Sequence, residues 1–174
     1  MDYALLLVAW SGVAYHSGVQ IALLDVLADA AHLVERGAPL TLATALCLGR
    51  WAEADALGRG ASAGQEQFAL VLAALNGQAE AIARLVALGV EASVPCPELY
   101  GHATPLHHAV SSGSLDAVRV LVQAGAALDA RDAAFQGTPL GWALHYQSQH
   151  AHQERASAYA AIADYLRARA TPAS

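Results

Sequence analysis

The chain repeats one unit, with 36 residues between Leu70 and Leu106 and 34 between Leu106 and Leu140, and this repetition limits the possible folds more than any other feature. The stretch TPLHHAVSSGSLDAVRVLVQAGA at 104–126 aligns without a gap with FALVLAALNGQAEAIARLVALGV at 68–90, so that Leu106 falls on Leu70. The same frame continues in TLATALCLG and TPLGWALHYQ, and a weaker copy lies in SGVAYHSG near the N-terminus. A unit of this length cannot bury its apolar face alone, so the copies are expected to stack on one another.

Each unit has the pattern of two short helices joined by a tight turn. Leu106 and Ala109 are three residues apart and therefore share one helical face, where leucine fills the core and alanine lets a neighbouring helix approach. Gly113 and Gly125 follow the two helical stretches and suit left-handed turn conformations. The Thr-Pro pair that opens the unit is typical of a helix start, because threonine caps free N–H groups and proline tolerates the first helical position.

The unit TPLHHAV…AVRVLVQAGA resembles an ankyrin repeat, which has a T-P-L-H-x-A helix start, a turn glycine and a second helix that ends at glycine. The match is strong over 104–144, good over 68–90 and degenerate before that. The resemblance implies an all-α ankyrin-repeat solenoid of stacked helix-turn-helix units with short or degenerate β-hairpin loops. We expect one domain over 1–174, with approximate units 3–37, 38–64, 65–100, 101–134 and 135–170.

The two adjacent histidines of the best unit are expected to have different roles. In ankyrin repeats the histidine of the T-P-L-H motif is structural, so the resemblance implies that His107 holds the loop and the helix start. His108 points about 100° away from it and is expected to face outward on the concave side of the stack. The matching positions predict one continuous, mainly apolar surface, formed by Val13, His16, Thr44, Cys47, Leu72, Leu75, His108, Ser111, Trp142 and His145.

The loops that precede the first helices, 93–103 and 128–137, lie where ankyrin hairpins project and commonly contact partners. Tyr100, His102 and Phe135 are therefore contact candidates. Asp129 and Asp132 are expected to shape their turn through side-chain hydrogen bonds to the backbone.

Two functions remain open at this point. The first is a protein-interaction module that binds an unidentified protein partner through its concave face and loop tips, with Leu72, Leu75, Ser111 and Trp142 among the contacts. The alternative is a protein that binds a small apolar ligand, or an atypical enzyme in which His108 and His145 act as acid and base, since a partly buried imidazole titrates near neutrality. No nucleophile or phosphate-binding signature supports a firm catalytic residue.

Other features narrow the partners. The net charge of −6 and the absence of a basic run argue against nucleic acid, and the apolar runs are too short for a membrane span. The opening stretch lacks a positively charged region, so we do not expect a secretory signal peptide there. Two cysteines outside any CxxC pattern fit a reduced, cytoplasmic protein, and no cofactor is expected. We expect the insert at 146–157, which contains His150, His152 and Glu154, to be a solvated loop rather than a metal site.

Overall fold

The computed structural model describes residues 30–150 and 155–170. The predicted surface positions Val13 and His16, and the N-terminal apolar stretch, lie outside the described residues. After a helical segment at 30–35, eight helices follow: α1 (Leu42–Cys47), α2 (Trp51–Gly58), α3 (Ala63–Leu75), α4 (Ala79–Ala87), α5 (Pro105–Ser112), α6 (Leu115–Gln123), α7 (Pro139–Gln149) and α8 (Arg155–Ala170).

The helices form pairs that stack as the repeat predicts. Helices α1 and α2, α3 and α4, α5 and α6, and α7 and α8 pack together within units. The first helices α1, α3, α5 and α7 pack in a row, while α4, α6 and α8 form a second row. The described residues contain helices and loops but no strand, so the all-α solenoid is confirmed and the hairpins are loops. The exact boundaries of the units stay a prediction.

Side chains that cap free N–H groups lie at the starts of the first helices. The Thr41 and Thr138 hydroxyls accept hydrogen bonds from the N–H groups of Thr44 and Gly141, at 3.2 Å and 3.1 Å. Proline occupies the first helical turn of α5 and α7. Because these groups satisfy N–H donors that a helix start leaves free, the predicted starts at the Thr-Pro pairs are confirmed.

Left-handed glycines end the helices. Gly113 and Gly125, which follow α5 and α6, have φ values of 76° and 87°. Leu106 and Ala109, within α5, are fully buried, as their shared helical face predicts. None of the described helices is long and apolar enough to cross a membrane.

The insert after the last clear repeat start differs from the prediction of a solvated loop. Helix α7 continues to Gln149, so the first part of the insert is helical. The reason is aromatic packing: the ring of His150 stacks on Tyr146 and on the buried Tyr159 of α8, with ring centroids 6.5 Å and 5.6 Å apart. His152 and Glu154 lie outside the described residues.

Candidate functional site

His107 fixes the start of α5 and links it to the next loop. Its Nδ1 atom lies 2.9 Å from the Thr104 hydroxyl and accepts a hydrogen bond from the Thr104 N–H at 3.3 Å. Nδ1 is therefore the acceptor, and Nε2 donates to the Gly137 carbonyl at 3.0 Å. Burial lowers the pKa of His107, and the Gly137 carbonyl and the Asp132 carboxylate only partly offset this. The structural role that the resemblance implies for His107 is confirmed.

Asp132 organises the loop that His107 reaches. The buried carboxylate accepts hydrogen bonds from the N–H groups of Ala134, Phe135 and Gly137 at 2.9, 2.6 and 2.8 Å. It also accepts one from the Trp142 indole at 3.0 Å. Burial raises the pKa of Asp132, but these donors outweigh burial and hold the pKa below its usual value. The turn-shaping role predicted for Asp132 is confirmed, and its bond to Trp142 extends that role to α7.

Phe135 stands exposed at the tip of this ordered loop. Its side chain is 76% exposed, the largest fraction among the exposed large hydrophobic residues of the described chain. Gln136 follows with φ at +56°, a left-handed conformation that non-glycine residues seldom adopt. The Arg131 guanidinium donates to the Gln136 carbonyl at 2.7 Å and closes the loop. We refer to residues 131–137 as the Phe135 loop.

The Phe135 loop joins the neighbouring loop at 93–103. The Ala133 N–H donates to the His102 carbonyl at 2.7 Å. Tyr100 also has a positive φ, at 52°, and the Cα atom of Pro97 would lie only 2.9 Å from a Cβ at Gly101. Close backbone packing therefore shapes the 93–103 loop, and the Ala133–His102 hydrogen bond joins it to the Phe135 loop, so that the two loops form one edge of the stack.

Four rings meet where this edge joins the first helices. The ring of His108 lies 6.0 Å from Tyr100, 6.4 Å from His102 and 6.5 Å from Trp142, measured between centroids. His102 also lies 6.3 Å from Trp142. These separations are typical of tilted and edge-to-face aromatic packing. We call Tyr100, His102, His108 and Trp142 the aromatic cluster.

Two polar atoms of the aromatic cluster are buried without a hydrogen-bond partner. They are Nε2 of His108 and the hydroxyl oxygen of Tyr100. Burial, followed by the nearby His102 and His107 rings, lowers the pKa of His108 to about 4, so the ring is neutral at physiological pH. Burial also raises the pKa of Tyr100.

The predicted open surface along the first helices is wrong at most of its positions. Leu72 is fully buried, and His108 and Ser111 are only 3% and 7% exposed. These residues are covered because the first helices pack against one another and the 93–103 loop places Tyr100 against His108. At the matching positions of the other first helices, Thr44 and Cys47 are buried, and Leu75 and Trp142 are half-buried.

The two histidines of the enzyme alternative lie in different surroundings. His145 is exposed, its Nε2 lies 3.0 Å from the Gln149 amide nitrogen, and its ring contacts Tyr146 of the same helix. Among the ring contacts of the described chain, His145 does not meet His108. The expectation that a concave-face imidazole titrates near neutrality is also wrong for His108, whose pKa burial lowers to about 4.

The described cysteines offer no activated thiol. Cys47 and Cys96 are buried free thiols. Burial raises the pKa of Cys47 to about 12, and Cys96 donates to the Glu98 carboxylate at 3.2 Å, with burial again raising the pKa of this thiol. Within residues 30–150 and 155–170, no three His, Cys, Asp or Glu side chains converge in a way that could hold a metal ion.

Sequence patterns did not reveal the Asp132–Trp142 bond or the unpartnered atoms of the aromatic cluster. The sequence predicts Trp142 as a contact of the partner, but its indole N–H is already bonded to Asp132. The spacing of ten residues between them carries no periodic signal, because it spans a loop and a helix start. The sequence predicts Tyr100 and His102 as loop contacts, and their packing on His108 depends on the loop conformation.

Stacked helix pairs with an ordered loop edge define a repeat scaffold of the kind that presents a binding surface. A family model described as ankyrin repeats, three copies, matches residues 31–132 and again 70–154. The chain belongs to the ankyrin repeat family, whose members are generally protein–protein interaction modules. No curated protein matches the chain.

Proposed function

We propose that this protein binds a protein partner through the edge formed by its two loops, with Phe135 as the central contact. The observation that carries the proposal is the 76% exposed ring of Phe135 on a loop that four hydrogen bonds to Asp132 hold in place. An exposed aromatic side chain on an ordered loop contributes contact area at a small entropic cost on binding.

The neighbouring candidates support the same edge. Tyr100, His102 and Trp142 are half-buried beside the Phe135 loop, and His145 and Leu144 are exposed on α7. Leu75 is half-buried against the core, Ser111 is buried and its hydroxyl donates to the His108 carbonyl, and Leu72 belongs to the core. The partner therefore contacts loop tips more than a concave surface. A cytoplasmic location, which fits two free thiols, belongs to this proposal.

The enzyme alternative has less support. His108 is buried and burial lowers its pKa to about 4, while exposed His145 has its ring contact with Tyr146 of its own helix rather than with His108. A small apolar ligand would need an open apolar surface, whereas the first-helix positions that are predicted to form one are largely buried.

Site-specific photocrosslinking identifies the partner and tests the edge. A photoreactive phenylalanine analogue at position 135 should crosslink a specific protein in cells, while the same analogue at position 88 should not. Leu88 is the matched control because it is 64% exposed but lies beside Gly58 of α2 rather than on the loops.

The affinity for the purified partner then shows how much Phe135 contributes to binding. Phe135→Ala should weaken binding by tenfold or more, on the order of the 1.4 kcal/mol or greater expected for a central aromatic contact. Leu88→Ala should change affinity less than about twofold, and both variants should unfold within about 0.5 kcal/mol of the parent because both side chains are exposed. Equal effects of the two substitutions on affinity would refute the proposal.

A further inference from the structure

The aromatic cluster contains a donor and an acceptor that the protein itself leaves unused. Nε2 of His108 and the hydroxyl of Tyr100 are both buried and unpartnered, and their rings are neighbours with centroids 6.0 Å apart. Most buried polar side-chain atoms in proteins have a partner, because leaving one unpaired is costly. Two such atoms on neighbouring rings indicate a site for a group that is supplied from outside the chain.

The protonation state of His108 defines what that group must offer. The carbonyls of Tyr100 and Ala103 favour a proton on the ring. Since Nε2 is the nitrogen without a partner, the proton of the neutral ring lies on Nδ1 and the lone pair lies on Nε2. The incoming group must therefore donate to His108, while Tyr100 can donate its own hydroxyl proton to the same group.

The location of the site connects it with the Phe135 loop. Tyr100 and His102, whose rings lie against His108, are half-buried, so the aromatic cluster is partly open to solvent on their side. The His102 carbonyl accepts from the Ala133 N–H of the Phe135 loop at 2.7 Å. A chain bound over Phe135 would pass beside the aromatic cluster and could place one side chain in it.

We propose that the aromatic cluster binds the carboxamide of an asparagine or glutamine side chain of the protein partner. This inference rests on the proposed function of the loop edge. A carboxamide carries its donor and its acceptor on two different atoms, so its NH₂ group donates to His108 Nε2 while its oxygen accepts from Tyr100. A carboxylate only accepts, so it would leave Nε2 unpaired and place a charge among buried rings.

Titration of the full chain with propionamide tests the site without the partner. The nitrogen resonances of ¹⁵N-labelled histidine report directly on the Nε2 lone pair. We expect propionamide to shift the His108 Nε2 resonance with saturation in the range of about 1–10 mM. Propionate and 1-propanol, which have similar chains but lack the amide, should not produce a saturating shift. A non-saturating response to propionamide, or an equal response to either control, would overturn the inference.

Two tyrosine variants show whether the hydroxyl takes part. Tyr100→Phe removes one of the two hydrogen-bonding groups and should weaken propionamide binding by about fivefold, as expected for one hydrogen bond. Tyr165→Phe is the matched control, since the Tyr165 hydroxyl is also buried and unpartnered but lies on α8. Equal weakening by both variants would overturn the assignment, and the ligand comparison on the unmodified chain stands even if a variant folds poorly.

Phe135→Ala separates this inference from the proposed function. Phe135 lies outside the aromatic cluster, so this variant should bind propionamide like the parent while it loses affinity for the partner. If Phe135→Ala weakens partner binding but the parent does not bind propionamide, only the carboxamide site is refuted. If propionamide binds but Phe135→Ala leaves partner affinity unchanged, only the role of the loop edge is refuted.

Discussion

At the scale of single residues, His108 shows how burial changes a side chain that the sequence presents as reactive. Its ring is 3% exposed, and burial lowers its pKa to about 4. In the unfolded chain a histidine has a pKa of about 6.5. The folded state therefore resists a proton that the unfolded state accepts, and this difference links the stability of the protein to pH.

The free energy of unfolding should fall as the pH decreases from about 6.5 to about 4. Above this window His108 is neutral in both states, and within it only the unfolded chain gains the proton, so the native state loses up to about 3 kcal/mol. His107 acts in the same direction because burial lowers its pKa too. Urea unfolding at several pH values measures how the free energy of unfolding changes with pH.

Substitution of His108 identifies the residue responsible. His108→Phe should make the pH profile between about 4 and 6.5 less steep, leaving the part that His107 contributes, whereas His145→Phe, at an exposed position, should preserve it. Asp132 does not interfere, because its lowered pKa makes its contribution disappear only below about pH 4. Parallel profiles for the parent and His108→Phe would show that this ring is not the titrating group.

The two histidines also show what a pattern of residues can establish. The role of His107 could be predicted because its partners are local or belong to the repeat: Thr104 is three residues away, and Gly137 opens the next unit. The direction of His108 followed from helical geometry, but its burial did not. Burial depends on the conformation of Tyr100, whose positive φ has no signature in the sequence.

At the scale of elements, the turn glycines share a backbone conformation but differ in their surroundings. Gly77 and Gly125 have φ values of +66° and +87°. A Cβ atom at Gly77 would lie 2.7 Å from the Cβ of Ser114 and 3.0 Å from the Ser112 hydroxyl, whereas one at Gly125 would meet nothing within 4 Å. Gly77 therefore allows two units to approach each other, and Gly125 only allows the turn.

Alanine substitutions should separate these two roles. Gly125→Ala should cost about 1 kcal/mol, from the left-handed conformation alone. Gly77→Ala carries the same cost and adds about 1–3 kcal/mol, because the units must move apart to admit the methyl group. Urea unfolding midpoints give both losses of stability, as long as the dependence of the unfolding free energy on urea concentration is unchanged. Equal costs would mean that the turn conformation alone explains the glycine at position 77.

The lengths of the elements were less predictable than their order. The Thr-Pro starts and glycine ends predict helices correctly in α5 and α6, where the signals are local. The extension of α7 to Gln149 was missed because it depends on stacking of Tyr146 on Tyr159, a residue of the following helix. The polar residues that follow Tyr146 predict a loop, because their sequence does not show that α8 packs against this stretch.

At the scale of the whole molecule, each unit is stabilised mainly by its neighbours, so damage should remain near its source. Tyr159 of α8 is fully buried, and its hydroxyl donates to the Ser111 carbonyl at the end of α5 at 3.0 Å. Its ring also stacks on Tyr146 of α7 at 5.3 Å. One side chain thus fastens the last pair of helices to the unit before it.

Tyr159→Ala should loosen the C-terminal pair far more than the centre of the stack. Loss of a buried aromatic ring costs about 3–5 kcal/mol, and hydrogen exchange should show this loss of protection in α7 and α8, with α3 and α4 much less affected. Leu70→Ala is the comparison, because fully buried Leu70 lies on α3, which packs against both α1 and α5. That variant should lose protection in both directions. A uniform loss of protection in Tyr159→Ala would show instead that the described chain opens as one cooperative unit, in which the loop edge could not remain ordered while the C-terminal pair is open.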